Sequence, residues 1–247
     1  MRNCSRGICK VSYDGTRMFR CTSLSLPSGA GYSREIRRPP GLRSPDFCLE
    51  YDAYTLFYDL FESDPEYGPQ IVGLGPPLWN LSPVLLASSI GSVSLRKLIS
   101  RYYDRGRSSD LWLAVPCAVS MEMRFSFGNF TLTPQPSQHS LYDGKRVLYT
   151  LNKDNNIRWI TDWIRFHEQH HGADAVLIYD NASTRYTGEW LELKLRSTFP
   201  SMVVNVVHWP FIYGPQGVGK VHWDSDFCQT GAFQDARFRF MHRARSV

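Results

Sequence analysis

Paired cysteines, long apolar runs and clustered charge of one sign are all scarce in this chain of 247 residues. Its six cysteines (Cys4, Cys9, Cys21, Cys48, Cys117, Cys228) form no C-x-x-C pair. That argues against a zinc module and leaves no disulfide framework, so reduced thiols in a cytoplasmic protein are expected. No run approaches the roughly 18 apolar residues that a membrane helix needs. No apolar h-region follows Met1, so no secretory signal is expected. The net charge is +5, but the basic residues are scattered, and only Arg34, Arg37 and Arg38 stand close together. A nucleic-acid footprint would be clustered, so nucleic acid is not an expected partner. Mild basicity fits a phosphorylated small molecule, or a peripheral contact with an anionic membrane surface, equally well.

What is present is ordinary globular material: 43% hydrophobic and 21% charged residues, enough for a sizeable core. Three regions differ in texture. Residues 1–44 are rich in Ser, Arg, Gly and Pro, end in Arg37-Arg38-Pro39-Pro40-Gly41, and read as a flexible leader. Residues 45–139 carry short apolar or aromatic pieces punctuated by Pro and Gly, and read as a small, mainly β accessory domain. Within it Phe127-Gly128-Asn129-Phe130 predicts a hairpin turn, and Ser94 to Tyr103 predicts a short helix. The Pro-rich connector Thr133 to Ser137 marks the boundary.

Residues 140–247 change to an α/β pattern. The apolar run Val147 to Leu151 meets a polar turn, Asn152 to Asn156. Ile157, Ile160, Trp163, Ile164 and His167 then recur at helical spacing, with an Asp or Asn cap before them and Gly172 as the stop. A second apolar run, Ala175 to Tyr179, does not alternate and reads as a strand covered on both faces. Together these make one βαβ unit with a parallel sheet. Thr187 to Ser197 predicts a second helix and Met202 to Val207 a third strand, with a long helix from about Asp224 to Ala244 after it. The chain stops at Val247, where such a pattern would place a fourth strand, so a truncated domain is expected.

In open parallel sheets, ligands sit beyond the carboxyl ends of the strands. Both turns that end such strands, Asn152 to Asn156 and Asp180 to Ser183, are therefore candidate ligand-facing loops. A carboxylate at Asp180 can accept from ribose hydroxyls or a base edge; it equally suits an Asx-turn or a helix cap. Gly214-x4-Gly219-Lys220 matches the Gly and Lys part of a P-loop, but Val221 stands where Ser or Thr would hold Mg²⁺. A structural glycine turn is the competing reading. Asp224-Ser225-Asp226 has the form of a metal-holding D-x-D, yet it opens a helix, where acids are favourable for dipole reasons alone. His167 and His171 lie one helical turn apart as a candidate metal pair, but no H-E-x-x-H is present. Trp209 and Trp223 are candidates to line a pocket, as is His208 at a strand end.

The ordered set Arg146 to Asn155, Asp162 to His167, His171 to Ser183, Trp209 to Gln216 and Trp223 to Gln229 resembles bacterial glycosyltransferases of the family 92 or family 2-like group. The resemblance covers roughly Leu141 to Val247. It implies a GT-A-like (Rossmann-like) parallel sheet, and transfer of a sugar from a nucleotide-sugar donor, UDP-sugar foremost, to a glycan acceptor. It also implies a divalent metal, Mn²⁺ or Mg²⁺, that stabilises the leaving diphosphate. Asp180 matches the carboxylate expected near the ribose or base. Lys153 and Asn155 match the turn after the first strand, and Asn181 and Gln229 are further donor-pocket candidates. In such enzymes the metal-holding acids and the general base follow on the next strand, so neither is expected within this chain. The alternative is a non-catalytic nucleotide- or glycan-binding module.

Overall fold

The computed structural model describes residues 18–115, 120–215 and 225–247. It is a mixed α/β structure with several sheets, one of them parallel and three-stranded. The amino-terminal half holds an antiparallel sheet of β1 (Asp59–Glu62), β2 (Ile71–Gly75), β3 (Ile99–Asp104) and β4 (Ser109–Leu113), in the order β1-β2-β4-β3. Both central strands are wholly buried. Gly75 is required there, because a Cβ would collide with the Leu56 carbonyl. A hairpin follows, β5 (Met121–Phe125) and β6 (Gly128–Leu132), closed at Ser126 and Phe127, slightly earlier than the Gly-Asn expectation. The helix expected over Ser94 to Tyr103 shrinks to one turn, Leu95–Leu98. The aromatic stretch after it becomes β3 because pairing with β4 outweighs its weak helical tendency.

The expected βαβ unit is present. β7 (Val147–Asn152), helix α1 (Ile157–His171), β8 (Ala175–Asp180), helix α2 (Gly188–Thr198) and β9 (Val203–His208) follow in order, and the sheet order is β7-β8-β9, all parallel. Asn156 caps α1 by accepting from the Arg158 amide at 2.9 Å, and Gly172 ends it at φ 63°. Residues of β8 alternate between two cores. Val176 and Ile178 meet Ile160 and Ile164 of α1 and Leu191 and Leu195 of α2. Ala175, Leu177 and Tyr179 meet helix α3 (Phe227–Asp235) on the other face. The long terminal helix expected from Asp224 to Ala244 is shorter. After α3 comes a single wide turn, Ala236–Phe240, whose Arg239 and Phe240 are buried. No described helix is long and apolar enough to cross a membrane.

Of the stretch 1–44 that composition marks as a flexible leader, residues 1–17 lie outside the described residues, and residues 18–44 pack against the rest of the chain. Phe19 pairs in parallel with Val207 at the outer edge of β9. Arg34 is 2% exposed, and its guanidinium donates to the carbonyls of Pro77, Asp52 and Thr55. Arg38 is equally buried, over the Phe47 ring. Two of the three clustered arginines, Arg34 and Arg38, thus serve as interior anchors held by carbonyls or a ring face, while Arg37 stays exposed and pairs with Glu35 at 2.6 Å. At the opposite sheet edge Arg146 pairs in parallel with Ser246, and Val147 N–H donates to Ser246 at 2.9 Å.

The two halves meet in a shared interior. Phe47, Tyr51 and Tyr58 pack in one cluster with Tyr179, Trp209 and Phe227. Beside it lies a buried polar joint. Asp59 accepts from the amides of Thr22 at 2.6 Å and Leu60 at 2.9 Å, and from Arg239 at 2.8 Å. Asp235 accepts from the Tyr179 hydroxyl at 2.6 Å, and its Oδ1 has no donor. Burial pushes both carboxyls above the ordinary aspartate range against the pull of Arg239, and they lie within hydrogen-bonding reach of each other. Asp59 already has three donors. One proton held by Asp235 and shared with Asp59 therefore leaves a single negative charge opposite Arg239.

This assignment separates two substitutions. Asp59→Ala removes the counter-ion of a buried arginine and is expected to cost about 3–5 kcal/mol in urea unfolding. Asp235→Asn keeps a donor at the shared position and should cost less than about 1 kcal/mol. A raised carboxyl pKa adds stability that is full below the unfolded value of about 4 and is lost as pH rises through the folded value. The wild type should therefore lose stability relative to Asp235→Asn as pH rises. Parallel stability–pH curves for the two proteins would contradict the shared proton.

Candidate functional site

The register of the parallel sheet puts Asn152 opposite Asp180 and Asp180 opposite His208, so the three strands end level. The turns that follow share one rim, as expected for a ligand-facing edge. They are tied together by polar side chains rather than apolar packing. Asn152, 1% exposed, is the hub. Its amide nitrogen reaches Asp180 Oδ1 at 3.0 Å and the Tyr186 hydroxyl at 3.1 Å, and its Oδ1 accepts from Asn155 at 3.0 Å. Its carbonyl accepts from the Asn181 amide at 2.7 Å.

A second tie comes from Asp154, held at φ 55°. Its carboxylate accepts from the amides of Thr184 at 2.7 Å and Arg185 at 2.8 Å, and its own amide donates to Ser183 Oγ at 2.9 Å. Those backbone donors, Arg185 first, hold its carboxyl below the usual range. Ala182 in the facing turn also has positive φ, 53°. For a non-glycine residue this conformation persists only where the surroundings impose it.

The expected site residues fare differently. Asp180 is 3% exposed, and its carboxylate takes Asn152, Ser183 Oγ at 2.6 Å and the Ser183 amide at 3.2 Å. Its carboxylate is engaged by its own turn, whereas the expectation gave it a ribose or base. Asn181 likewise faces inward, donating to the carbonyls of Trp209 and Phe211 at 2.8 Å each and so fixing the chain beyond β9. Lys153 and Asn155 are exposed at the tip of the first turn, on the rim as expected. Gln229 lies in α3 and accepts from Tyr213 at 2.8 Å. Trp209 is fully buried with its indole N–H on the Cys228 carbonyl, so it belongs to the core and not to a pocket.

Other motifs resolve in part. Gly214 is described, but Lys220, Trp223 and Asp224 lie outside the described residues. Asp226 pairs with Arg107 at 3.3 Å. His167 and His171 lie with ring centroids 5.0 Å apart beside Phe166, an aromatic cluster at a helix end. His208 donates its amide to Phe19 at 2.8 Å as part of the sheet edge.

The divalent metal implied by the resemblance does not fit the rim carboxylates, because Asp154 and Asp180 already serve internal donors. Cys21, Asp59 and Asp235 do converge, with ligand atoms within 4.8 Å of one another. Asp59 and Asp235 are fully buried and Cys21 half-buried, and Arg239 lies 2.8 Å from Asp59, so a guanidinium already supplies the positive charge. That group does not suit a metal that must meet a diphosphate.

Two hollows flank the parallel sheet. One of about 380 Å³, beside the rim, is lined by Arg185, Tyr186, Thr187 and Trp190. The other, of about 470 Å³, lies at the opposite end, between Leu141, Phe199 and Asn205. There the Arg196 guanidinium is occupied by Glu192 at 2.7 Å and the Val204 carbonyl at 2.9 Å. The rim hollow therefore has the more available polar chemistry.

Sequence reasoning placed Asn152, Asp154 and Ser183 in the ligand-facing turns without giving them the part they play in tying those turns, and it missed Tyr186. The signal was present: an amide and an acid close two adjacent buried strands, which in parallel register must meet. No family model, curated protein or solved structure matches the chain.

If Asp180 holds the turn, Asp180→Ala strands the Ser183 amide and the Asn152 carboxamide in a buried site. The expected cost is about 2–3 kcal/mol of unfolding free energy. Asp180→Asn retains an acceptor and should cost less. An Asp180→Ala protein as stable as the wild type would mean that the network does not hold the rim.

Proposed function

We propose that this chain is the nucleotide-sugar-binding part of a glycosyltransferase with a GT-A-like sheet, and that its donor, a UDP-sugar, binds at the rim beside β7. One observation carries the reading. From β7 the chain runs through α1 to β8 and through α2 to β9, all parallel and ending level, so the turns after β7 and β8 open on one rim at the carboxyl ends, where open α/β sheets take their ligands.

The residues at that position fit an anionic ligand. Lys153, exposed on the turn after β7, offers a point charge to a diphosphate, and Asn155 beside it offers a carboxamide. Asp180 and Asn181 act one step back. They hold the turns in place so that the ligand meets a rim already ordered, which lowers the entropy lost on binding. A glycan acceptor would approach from the same rim.

A specific observation also favours the second reading, a binding module without catalysis. General-base catalysis needs a carboxylate or imidazole free to take the acceptor proton. The rim carboxylates Asp154 and Asp180 both have their oxygens filled by protein donors.

Calorimetry with UDP, with and without Mn²⁺, separates the readings. UDP is expected to bind, and Lys153→Ala to weaken it about tenfold, the loss of one charge-assisted contact. A gain in affinity with Mn²⁺ would favour the enzyme reading, and metal-independent binding the module. No UDP binding to the folded protein would overturn both nucleotide readings.

A further inference from the structure

The hollow beside the rim is built from side chains held still by the network above, and nothing in the donor proposal uses it. Tyr186 is fixed at its hydroxyl, which donates to the Asn155 carbonyl at 2.8 Å and meets Asn152. Thr187 caps α2 by accepting from the Trp190 amide at 3.2 Å, which sets where Trp190 leaves the helix. The two ring centroids lie 5.6 Å apart with their planes tilted by 31°, so Tyr186 packs beside the Trp190 ring and Trp190 presents the more exposed face. Trp190 is 45% exposed, a large apolar face left in water although α2 buries Leu191 and Leu195 completely. Arg185 completes the wall. Its amide is held by Asp154, and one guanidinium nitrogen donates to the Asp154 carbonyl at 3.2 Å. Among the described residues it has no carboxylate partner.

A rigid aromatic platform beside an arginine whose charge is unmatched has a recognisable complement. It is a ring with an apolar face and an anionic substituent at its edge. We infer that this groove binds an acidic sugar, a uronic acid residue of a glycan, with its C–H face on Trp190, Tyr186 at its edge, and its carboxylate on Arg185. Sugar rings present such a face to aromatic side chains, and the planar guanidinium matches a carboxylate with two parallel hydrogen bonds. The groove adjoins the turn that carries Lys153 and Asn155, because Tyr186 donates to the Asn155 carbonyl and Arg185 to the Asp154 carbonyl. It is a second subsite next to the proposed donor contacts. Its role as an acceptor site rests on the glycosyltransferase reading; the binding itself does not.

Tryptophan fluorescence and calorimetry on the whole chain test this, with a tetragalacturonate, a neutral cellotetraose and UDP as probes. Tetragalacturonate is expected to bind saturably and to shift the tryptophan emission. Trp190→Ala should weaken it about tenfold or more, the loss expected for one stacked ring. Arg185→Gln should weaken tetragalacturonate about tenfold while leaving cellotetraose affinity unchanged. Both side chains are exposed, so both variants should fold, with far-ultraviolet circular dichroism as the check. Equal affinity in wild type and Trp190→Ala, or no saturable oligouronide binding, would overturn the inference. So would competition by UDP for the same platform, which would make it a nucleotide site. Oligouronide binding without any UDP binding would leave the subsite standing and remove the donor proposal instead.

Discussion

One buried carboxamide carries the candidate site. Asn152 ends β7 where the parallel sheet meets solvent, yet it is almost wholly enclosed. A side-chain amide in that position must have its donors and acceptor matched, or it costs more than the turn could recover. Asp180, Tyr186 and Asn155 supply those matches, and each comes from a rim turn or from the stretch leading into α2. Satisfying one residue therefore orders two loops. Asp154 repeats the device from the outside, fastening the amides of Thr184 and Arg185 to the first turn. The consequence is a rim that needs no ligand to take its shape.

The rim in turn depends on how the two halves of the chain are joined. The amino-terminal sheet contributes Asp59, the terminal segment contributes Asp235 and Arg239, and β8 contributes Tyr179. Arg243 reaches back to Asp64, with two contacts of 2.9 Å each. These charged groups cross what the composition suggests is a boundary near residue 140. The apolar cluster around Tyr58, Trp209 and Phe227 crosses it as well. The α/β half thus rests its α3 face on the amino-terminal half, which leaves the α1–α2 layer and the rim turned outward.

Much of this was legible in the residues. The apolar runs, the stripe of Ile160 and Ile164, the Asp or Asn cap before Ile157 and the stop at Gly172 specify a βαβ unit by local rules, and those rules hold because the unit's own contacts are local. The failures have a common cause. Arg34 and Arg38 fell in a stretch read as a flexible leader, since nothing nearby in sequence announces the carbonyls and rings that receive them. Ser94 to Tyr103 read as helix, because its strand partner lies across a turn. The segment after Asp235 read as continuous helix, although its wide turn faces Asp59, some 180 residues away along the chain. Asp180 was recognised as a residue of consequence at the right place, but its duty is to the turn. Local spacing cannot distinguish an acid that grips a ligand from one that grips its neighbours.

The functional account reduces to a spatial claim: ligands meet this protein across the carboxyl ends of β7 and β8, on a surface that Asn152 and Asp154 have already set. Amide chemical-shift mapping on isotopically labelled protein, titrated with UDP and then with an oligouronide, tests it most directly. The account expects shifts concentrated at 153–155 with the nucleotide and at 185–190 with the sugar, with Asp180 and Asn181 moving little. Shifts centred on the opposite hollow, around Leu141, Phe199 and Asn205, would contradict it.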